Sequence, residues 1–531
     1  MRRMSKGGVA AGVVAVGIAG LILTGCASTP TTTPTPSATS SAVIEVSTTS
    51  TLAERVLADN ENATVVREDE WSASGAIDVV LSGGTASAPA GVTTTGSTVT
   101  VSAAGVYRLS GTLDGQVIVD APEDALVVLI LDGVTISSTT GAAIEVRSAD
   151  DVAVHLAAGS RNAISDTSAY AQDADVNAAL FSEEDLTISG TGALTVTGNG
   201  NDGITSEDDL AIIGGAITVV AADDALRGKD SLTIEDGVLD LTATAGHALK
   251  ADNAEEAGRG YVVIEGGTLT ATAGKDGVNA FTDVVITGGE MAFSAADDGI
   301  HAEQILAIDG GELTITDSLE GLEAFQIEIA SGRIDVTASD DGLNAAGGDA
   351  GANEMADGGQ QLVITGGELT VRAGGDGLDS NGSVSISGGT TIVFGPTNAG
   401  NGALDANGAF TISGGTLLAL GSAGMAQSPD ADSPQGWVAV TAAGSAGSSV
   451  QVQDGAGTVL IEVVAEKAFE TIVASTPGMT SGASYTIVVD GSATTITGGE
   501  AIAGGFGGGM RPGQGQAPGG TPGGGQPSPN G

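Results

Sequence analysis

Short segments in which apolar and polar residues alternate recur along most of the chain. In "VVITGGEMAFSAADDGIHAEQI", residues 284–305, an alternating stretch leads to a Gly-Gly pair, a second leads to an Asp-Gly pair, and a third short stretch follows. Alternation with a period of two predicts β-strands that bury one face. Gly-Gly and Asp-Gly are typical of sharp corners, where we expect glycine to supply a positive φ. The pattern therefore predicts three short strands joined by tight corners.

The same unit repeats at a fixed spacing. Copies stand at 210–231, 262–283, 284–305 and 362–383, and they align column by column. Strands joined by corners at this period, with no helical segment, predict an all-β chain folded as a parallel β-helix, with about 22 residues per rung and about 4.8 Å between rungs. Two rungs carry insertions at the same point of the repeat, 252–260 and 347–361, which we expect to form loops on one edge.

The extent of the repeat indicates the domain boundaries. We expect the β-helix over 76–425 and a small antiparallel β module over 426–502, where the Gly-Gly period stops but alternating segments continue. A Gly/Pro-rich tail over 503–531 has the composition of a disordered segment. Residues 26–75 begin with a Ser/Thr/Pro-rich stretch and are predicted to form a tether.

The N-terminus carries a targeting signal. Basic residues within the first six positions precede an apolar run over 9–23, which predicts a signal peptide over 1–25. The segment "LTGC" at 23–26 resembles the lipobox of bacterial lipoproteins, in which the cysteine is lipidated, and Cys26 is the one cysteine of the chain. We therefore expect a lipid anchor at Cys26 and a location on the extracellular face of a bacterial cell membrane.

The net charge of the chain limits the kinds of molecule that it can bind. The chain carries 66 acidic and 17 basic residues, a formal net charge of −49. A nucleic acid, itself a polyanion, would be repelled, so a nucleic-acid-binding function is excluded. Cations are the expected partners of such a surface.

Stacking of rungs turns the Asp-Gly corner into a column of carboxylates. At 4.8 Å such groups repel by roughly 3–4 kcal/mol at an effective dielectric constant of 20. Calcium binds carboxylate oxygens at about 2.3–2.6 Å, half the rung spacing, so we expect Ca²⁺ between rungs. For any single Asp-Gly pair, turn formation alone is a sufficient explanation. The predicted metal ligands are Asp202, Asp223, Asp224, Asp276, Asp297, Asp298, Glu320, Asp340, Asp341 and Asp376.

Three residues after each carboxylate of the corner column comes a second column, whose side chains point outward. We expect this outward column to form the sugar-binding surface. Phe281 and Phe325 lie nearby in one column, two rungs or roughly 9.6 Å apart, a spacing that suits stacking on a disaccharide repeat. Burial beneath a loop is the alternative. The chain has histidines at 155, 247 and 301, and we expect them to be polar surface residues or members of the acidic column, because a zinc site usually contains more of them. The predicted carbohydrate-binding residues are Phe281, Phe325, Asn279, His301, Glu323 and Asn344.

Two other functions stay open. In a polysaccharide lyase, calcium would neutralise a uronate and a basic side chain would remove the adjacent proton. Lys250 beside Arg227 in the outward column is the best constellation for that role. A purely structural surface adhesin or spacer is the third possibility.

Several segments carry a family resemblance. The runs at 105–136, 182–204, 229–239, 260–270 and 318–348, for example "SLEGLEAFQIEIASGRIDVTASDDGLNAAGG", resemble the bacterial carbohydrate-binding β-helix family. That resemblance covers about residues 95–425, and 436–500 is similar to the family's usual ending. It implies a right-handed parallel β-helix, calcium at the coil surface, and non-catalytic binding of cellulose-like or acidic, pectin-like polysaccharide. His247, Arg227 and Lys250 depart from the acidic pattern, which puts calcium at those rungs in doubt.

Overall fold

The computed structural model describes residues 50–171, 174–348 and 356–502. It is nearly all-β, with about 55% of residues in strands and 2% in helix, and its core is built from parallel strands in a solenoid-like arrangement. The all-β prediction is therefore confirmed at this level. Across the described ranges, no helix has both the length and the apolar character that crossing a membrane requires. The predicted signal peptide, Cys26 and the tail over 503–531 lie outside the described residues.

One helix and 38 strands occur in the described residues. The helix is α1 (Leu52–Asp59). The first strands are β1 (Ile77–Gly83), β2 (Val92–Thr95), β3 (Thr98–Val101), β4 (Gly105–Leu113), β5 (Gln116–Asp120), β6 (Leu126–Ser137), β7 (Ile144–Ser148), β8 (Asp151–Leu156), β9 (Arg161–Ser165), β10 (Ala178–Ser182), β11 (Asp185–Gly190), β12 (Ala193–Gly198) and β13 (Asp202–Ser206). The central strands are β14 (Asp209–Ala221), β15 (Leu226–Gly228), β16 (Ser231–Ala243), β17 (Leu249–Ala251), β18 (Tyr261–Ile264), β19 (Thr268–Ala273), β20 (Val278–Ala280), β21 (Asp283–Ile286), β22 (Glu290–Ala295), β23 (Ile300–Asp317), β24 (Leu322–Ala338) and β25 (Leu343–Ala345). The last strands are β26 (Gln361–Ile364), β27 (Glu368–Ala373), β28 (Leu378–Ser380), β29 (Ser383–Ile386), β30 (Thr390–Phe394), β31 (Phe410–Ile412), β32 (Thr416–Gly421), β33 (Trp437–Gly444), β34 (Ser449–Gln453), β35 (Val459–Val464), β36 (Phe469–Ser475), β37 (Ser484–Val489) and β38 (Ser492–Thr497).

Parallel pairing joins each repeat unit to the next. Strands β18, β19 and β20 pair in parallel with β21, β22 and β23, and Thr268 lies beside Glu290, its counterpart in the following unit. The first insertion lies between β17 and β18, and the second lies between β25 and β26. Both therefore occur at the same corner of the repeat unit. Residues 349–355 of the second insertion lie outside the described residues.

The hydrophobic core is a set of continuous columns. The apolar residue just after each corner lies directly over its counterpart in the next rung, and all members of this column are at most 1% exposed. This burial accounts for the alternation in the sequence, since one face of each strand is removed from water. The column consists of Ile204, Leu226, Leu249, Val278, Ile300, Leu322, Leu343, Leu378 and Leu404.

The two kinds of glycine corner have different physical causes. The second glycine of a Gly-Gly pair adopts a positive φ, as at Gly289 with 90°, and this part of the prediction holds. The glycine of the recurring Asp-Gly corner, as at Gly277, Gly299 and Gly342, does not, so the expectation of positive φ was wrong there. A Cβ on Gly299 would lie 2.4 Å from Ile315 and 2.5 Å from the carbonyl oxygen of Gly321. Glycine is required at this corner because the stacked rungs approach too closely for any side chain.

Residues 51–71 form a strap along the outside of the sheet, although the sequence analysis assigned them to the tether. Thr51 caps α1 in a capping box, and Leu52 and Val56 pack with Tyr261 and Val285. Farther on, the backbone N–H of Val66 donates to the hydroxyl oxygen of Thr187 at 3.0 Å. The correction has a simple reason: apolar residues four apart place one helical face on the sheet, and so short a helix does not stand out in a polar segment.

Aspartate in place of Val56 is expected to release the strap. Val56 lies on the buried face of α1, between the helix and the sheet, and an unpaired charge there is strongly disfavoured. Limited digestion with a glutamate-specific protease would measure cleavage after Glu54, which is exposed on the same helix. We expect the cleavage rate to rise roughly tenfold or more, as a loss of about 1.4 kcal/mol requires, while the exposed control Ala58→Asp digests like wild type. Equal cleavage of Val56→Asp and wild type would contradict the packing of α1.

The last strands leave the parallel pattern. Strand β36 pairs antiparallel with both β32 and β33, while β35, β34, β37 and β38 form a separate four-stranded antiparallel sheet. Its inner face packs on residues of the last rungs, including Phe394 and Leu418. These contacts bury apolar side chains of the last parallel strands, which would otherwise face water.

Candidate functional site

Acidic side chains at the corners cap backbone N–H groups of the next rung. The carboxylate of Asp276 accepts from the N–H of Asp298 at 3.1 Å, and that of Asp341 accepts from the N–H of Asp376 at 2.6 Å. The same bond joins Asp202 to Asp224 and Asp224 to His247. An N–H at a tight corner would otherwise lack a partner, and a buried unpaired donor is costly. This bond explains why the Asp-Gly corner recurs independently of any ligand.

The second oxygen of many of these carboxylates meets a side chain of the outward column. These partners are hydrogen-bond donors, and each lies in the same rung or in the next one. The pairs are Asp202 with Thr205 at 3.2 Å, Asp276 with Asn279 at 2.7 Å, Asp298 with His301 at 3.2 Å and Glu320 with Asn344 at 2.8 Å. Much of the acidic column is therefore satisfied by the chain itself.

Arg227 and Lys250 belong to an internal ion-pair network. The guanidinium of Arg227 contacts Glu207 at 2.7 Å and Asp252 at 2.9 Å, while the ammonium of Lys250 lies 2.9 Å from Asp224. Burial lowers the pKa of Lys250, but Asp224 and Asp252 outweigh it, so the pKa lies above its usual value. A proton-abstracting lysine needs a lowered pKa. The geometry therefore opposes the lyase roles of Lys250 and Arg227, and Asp224, already paired, is a poor metal ligand.

The later rungs are different, because their acidic groups meet one another. Asp376, Asp379 and Asp405 place carboxylate oxygens within 4.8 Å of one another. Burial first, then neighbouring carboxylates, raise the pKa of Asp376 to about 7 and that of Asp379 to about 8. In the described part of the chain the nearest guanidinium by sequence, that of Arg372, pairs with Asp335 and Glu466 instead. We call Asp376, Asp379 and Asp405 the late acidic cluster.

The donors of the late acidic cluster fit a hard divalent cation. All are carboxylate oxygens on adjacent rungs, the ligand type that Ca²⁺ takes. The pKa values are raised first by burial and then by neighbouring carboxylates, and a bound cation would favour the charged forms of these groups. Asp341 in the rung before also has a pKa raised by burial, to about 6.

The sequence did not predict Asp379 and Asp405, two members of the late acidic cluster, as metal ligands. Asp379 lies in the outward column, and Asp405 lies beside it through the pairing of Leu378 with Leu404. Asp405 sits in "NGALDANG", where the Asp-Gly corner is lost and the column is hard to recognise. The recurrence of Leu-Asp at 378–379 and 404–405 is the signal that would have placed it.

Three of the other predicted metal ligands, Asp276, Asp297 and Asp298, take part in two further groups, the second of which includes His301 and Glu323 from the predicted carbohydrate-binding set. Asp276, Asp297 and Asp298 bring carboxylate oxygens within 4.8 Å of one another, as do the ligating atoms of Asp298, His301 and Glu323. Burial raises the pKa of Asp202 to about 7 and that of Glu320 to about 7. Two residues, Asp297 and Asp340, are exposed at the corner, and Asp223 is half-buried.

The predicted carbohydrate-binding residues divide into exposed and enclosed ones. Phe281 is 40% exposed and lines a cavity of about 310 Å³ beside the first insertion. Phe325 is half-buried against the second insertion, where a Cβ on Gly348 would lie 2.8 Å from its ring. Asn344 is only 8% exposed and donates to Glu320, so its assignment to a sugar-binding surface is corrected. Asn279, His301 and Glu323 are half-buried and bonded to the acidic column.

Part of the chain is similar in sequence to known proteins. A family model described as carbohydrate-binding domain-containing protein matches residues 95–347. A protein of that description from Acetivibrio thermocellus is 39% identical over 185 residues, which span 34% of this chain and 64% of that protein. A solved structure titled as the polysaccharide lyase-like protein from C. thermocellum, a gadolinium derivative, is 37% identical, with coverage of 44% of this chain, 96% of that chain and a TM-score of 0.42. The repeat region is therefore similar to carbohydrate-binding domain-containing proteins over residues 95–347, somewhat less than half of the chain.

Proposed function

We propose that the protein is a lipoprotein, anchored through Cys26 at the cell surface, that binds polysaccharide through a calcium-loaded acidic face without catalysing a reaction. The description of the matching family supports carbohydrate as the ligand class. A right-handed parallel β-helix is part of this proposal, supported by the regular spacing of paired strands. The coil would present the acidic corners as one row along the chain.

The late acidic cluster is the observation that carries the proposal. Asp376, Asp379 and Asp405 are the residues that would hold calcium. Bound calcium would supply positive charge and free coordination positions for the oxygens of an acidic sugar. Without a cation, a chain of net charge −49 repels a polyuronate. An acidic, pectin-like polysaccharide is therefore the favoured ligand, and neutral cellulose-like glucan would need contacts such as Phe281.

A binding experiment with two polysaccharides tests this function. Immobilised polygalacturonate and an insoluble neutral β-glucan would be incubated with the protein in calcium or in chelator. Chelation is expected to weaken binding to polygalacturonate at least about tenfold, a change of about 1.4 kcal/mol, and to leave binding to the glucan unchanged. Binding to polygalacturonate that is equally strong in chelator would contradict the calcium-dependent mechanism. Appearance of unsaturated products would instead support the lyase.

A further inference from the structure

A histidine and two carboxylates meet at one point of the coil. His301 begins β23 just after the corner residue Asp298, and it lies directly beside Glu323 in the next rung. Its Nδ1 is 3.2 Å from the Oδ2 of Asp298 and 3.2 Å from the Oε2 of Glu323. All ligating atoms of the three residues lie within 4.8 Å of one another. Two rungs therefore preassemble one nitrogen and two oxygen donors.

The two nitrogen–oxygen distances match edges of a small coordination tetrahedron. Zinc binds imidazole nitrogen at about 2.0–2.1 Å and carboxylate oxygen at about 2.0–2.2 Å, so neighbouring ligands of a tetrahedral ion lie roughly 3.3–3.5 Å apart. Both nitrogen–oxygen separations, 3.2 Å, are close to that edge. A metal ion would replace the proton on Nδ1, and the two nitrogen–oxygen separations would need little adjustment.

The nitrogen donor separates this group from the oxygen-only clusters. Calcium and magnesium take oxygen ligands, whereas imidazole suits zinc and its neighbours in the transition series. In other rungs the equivalent positions hold Thr205, Lys250 and Asn279, which offer a hydroxyl, an ammonium or an amide to the carboxylate. The combination of histidine with two carboxylates arises at His301 within the described residues.

A further carboxylate faces the opposite ring nitrogen. The Nε2 of His301 lies 3.7 Å from the Oε1 of Glu303. Histidines that bind metal through one nitrogen commonly present the other N–H to a carboxylate, which orients the ring and strengthens the ligand. Glu303 is exposed and free to close this distance, so it is a positioning residue.

We propose that Asp298, His301 and Glu323 bind a divalent transition-metal ion of the Zn²⁺ class and leave one coordination position open. Three protein ligands of mixed nitrogen and oxygen type are what zinc sites with a free fourth position contain. This site is separate from the late acidic cluster in its ligands and in its metal preference. It goes beyond the proposed function, since polysaccharide binding through calcium does not require it.

Metal titration of the full-length protein tests the site. The chelator-stripped protein would be titrated with Co²⁺, whose visible absorption reports tetrahedral coordination and nitrogen ligation, and then with Zn²⁺ or Ca²⁺ as competitor. We expect one tetrahedral Co²⁺ per chain, displaced by Zn²⁺ at concentrations at least about tenfold lower than those of Ca²⁺, in keeping with the ligand preferences of these ions. Absence of the tetrahedral spectrum, or displacement by Ca²⁺ as readily as by Zn²⁺, would overturn the proposal.

Matched variants locate the ion. Glu303→Gln is expected to weaken Zn²⁺ binding about tenfold, within the range found for residues that orient a ligand, and His301→Gln, which removes the ligand itself, about 100-fold or more. His155→Gln removes a histidine with a single carboxylate at 3.6 Å and should bind like wild type. If His301→Gln does not fold, Glu323→Gln provides the second test. Zinc affinity unchanged in the folded His301 or Glu323 variant would reject the site, whereas Asp379→Asn should leave it intact even where calcium binding is lost.

Discussion

Asparagine in place of Asp379 is expected to remove most of the calcium-dependent rise in melting temperature and to raise the melting temperature in chelator. Asp379 lies among Asp341, Asp376 and Asp405, and burial together with these neighbours raises its pKa to about 8. When no cation is present, the folded protein must either keep Asp379 protonated or tolerate its repulsion with these neighbours, and asparagine removes both costs. It also removes a ligand, so the stabilisation that calcium gives wild type, about 2.7 kcal/mol at a hundredfold excess over Kd, should fall by more than half.

Thermal unfolding in calcium and in chelator measures both effects. The matched control is Asp224→Asn, which changes the same residue type in the same repeat. The carboxylate of Asp224 is already paired with Lys250 at 2.9 Å and accepts the N–H of His247 at 2.8 Å. We expect this control to melt lower in both conditions and to keep the full calcium increment. An Asp379→Asn protein with the same calcium increment as wild type would show that the late acidic cluster is not the calcium site.

The core columns could be predicted because a strand with one buried face has apolar residues at alternate positions of its sequence. The residue after each corner is Ile, Val or Leu in rung after rung, and the structure stacks Val278, Ile300 and Leu322 at 0% exposure. Period-two alternation has no competing explanation when it recurs at fixed spacing. The parallel pairing follows from the same repetition.

The stacking of residues in columns did not predict which corner carboxylates are already hydrogen-bonded and which are free to bind a cation. Sequence shows which residues stack, but it does not show that the carboxylate of Asp276 is used by the N–H of Asp298 and the amide of Asn279. Nor does it show that Asp405, outside the recognisable phrase, completes a group with Asp376 and Asp379. Whether a carboxylate is free for a cation depends on these side-chain contacts.

The strap was missed for a different reason. A helix as short as α1 is marginal by itself and is stable only through tertiary contacts. Leu52 and Val56 acquire their role from Val285, which lies several rungs farther along the chain. A pattern search along the sequence detects the repeat but cannot detect a single contact of this kind.

In chelator, the melting temperature is expected to fall as pH rises from about 5 to about 8.5. The unfolded chain releases its aspartate protons near pH 3.9, whereas Asp341, Asp376 and Asp379 hold theirs to about 6, 7 and 8 in the folded protein. Between these limits the folded state binds more protons than the unfolded state, so the free energy of unfolding decreases with pH. Each pKa unit corresponds to about 1.4 kcal/mol, and we expect a fall of roughly 3 °C or more for a chain of this size.

Calcium and one variant separate this cluster from the general charge of the chain. Repulsion among exposed carboxylates also grows with pH, but it is screened at high salt, while the buried cluster is screened much less. The slope of melting temperature against pH in high salt and chelator should therefore persist in wild type and become shallower in Asp379→Asn. Saturating calcium should flatten the wild-type curve above pH 6, because the cation replaces the protons that hold the carboxyl groups together. Identical slopes for wild type and Asp379→Asn under these conditions would place the pH dependence elsewhere on the acidic surface.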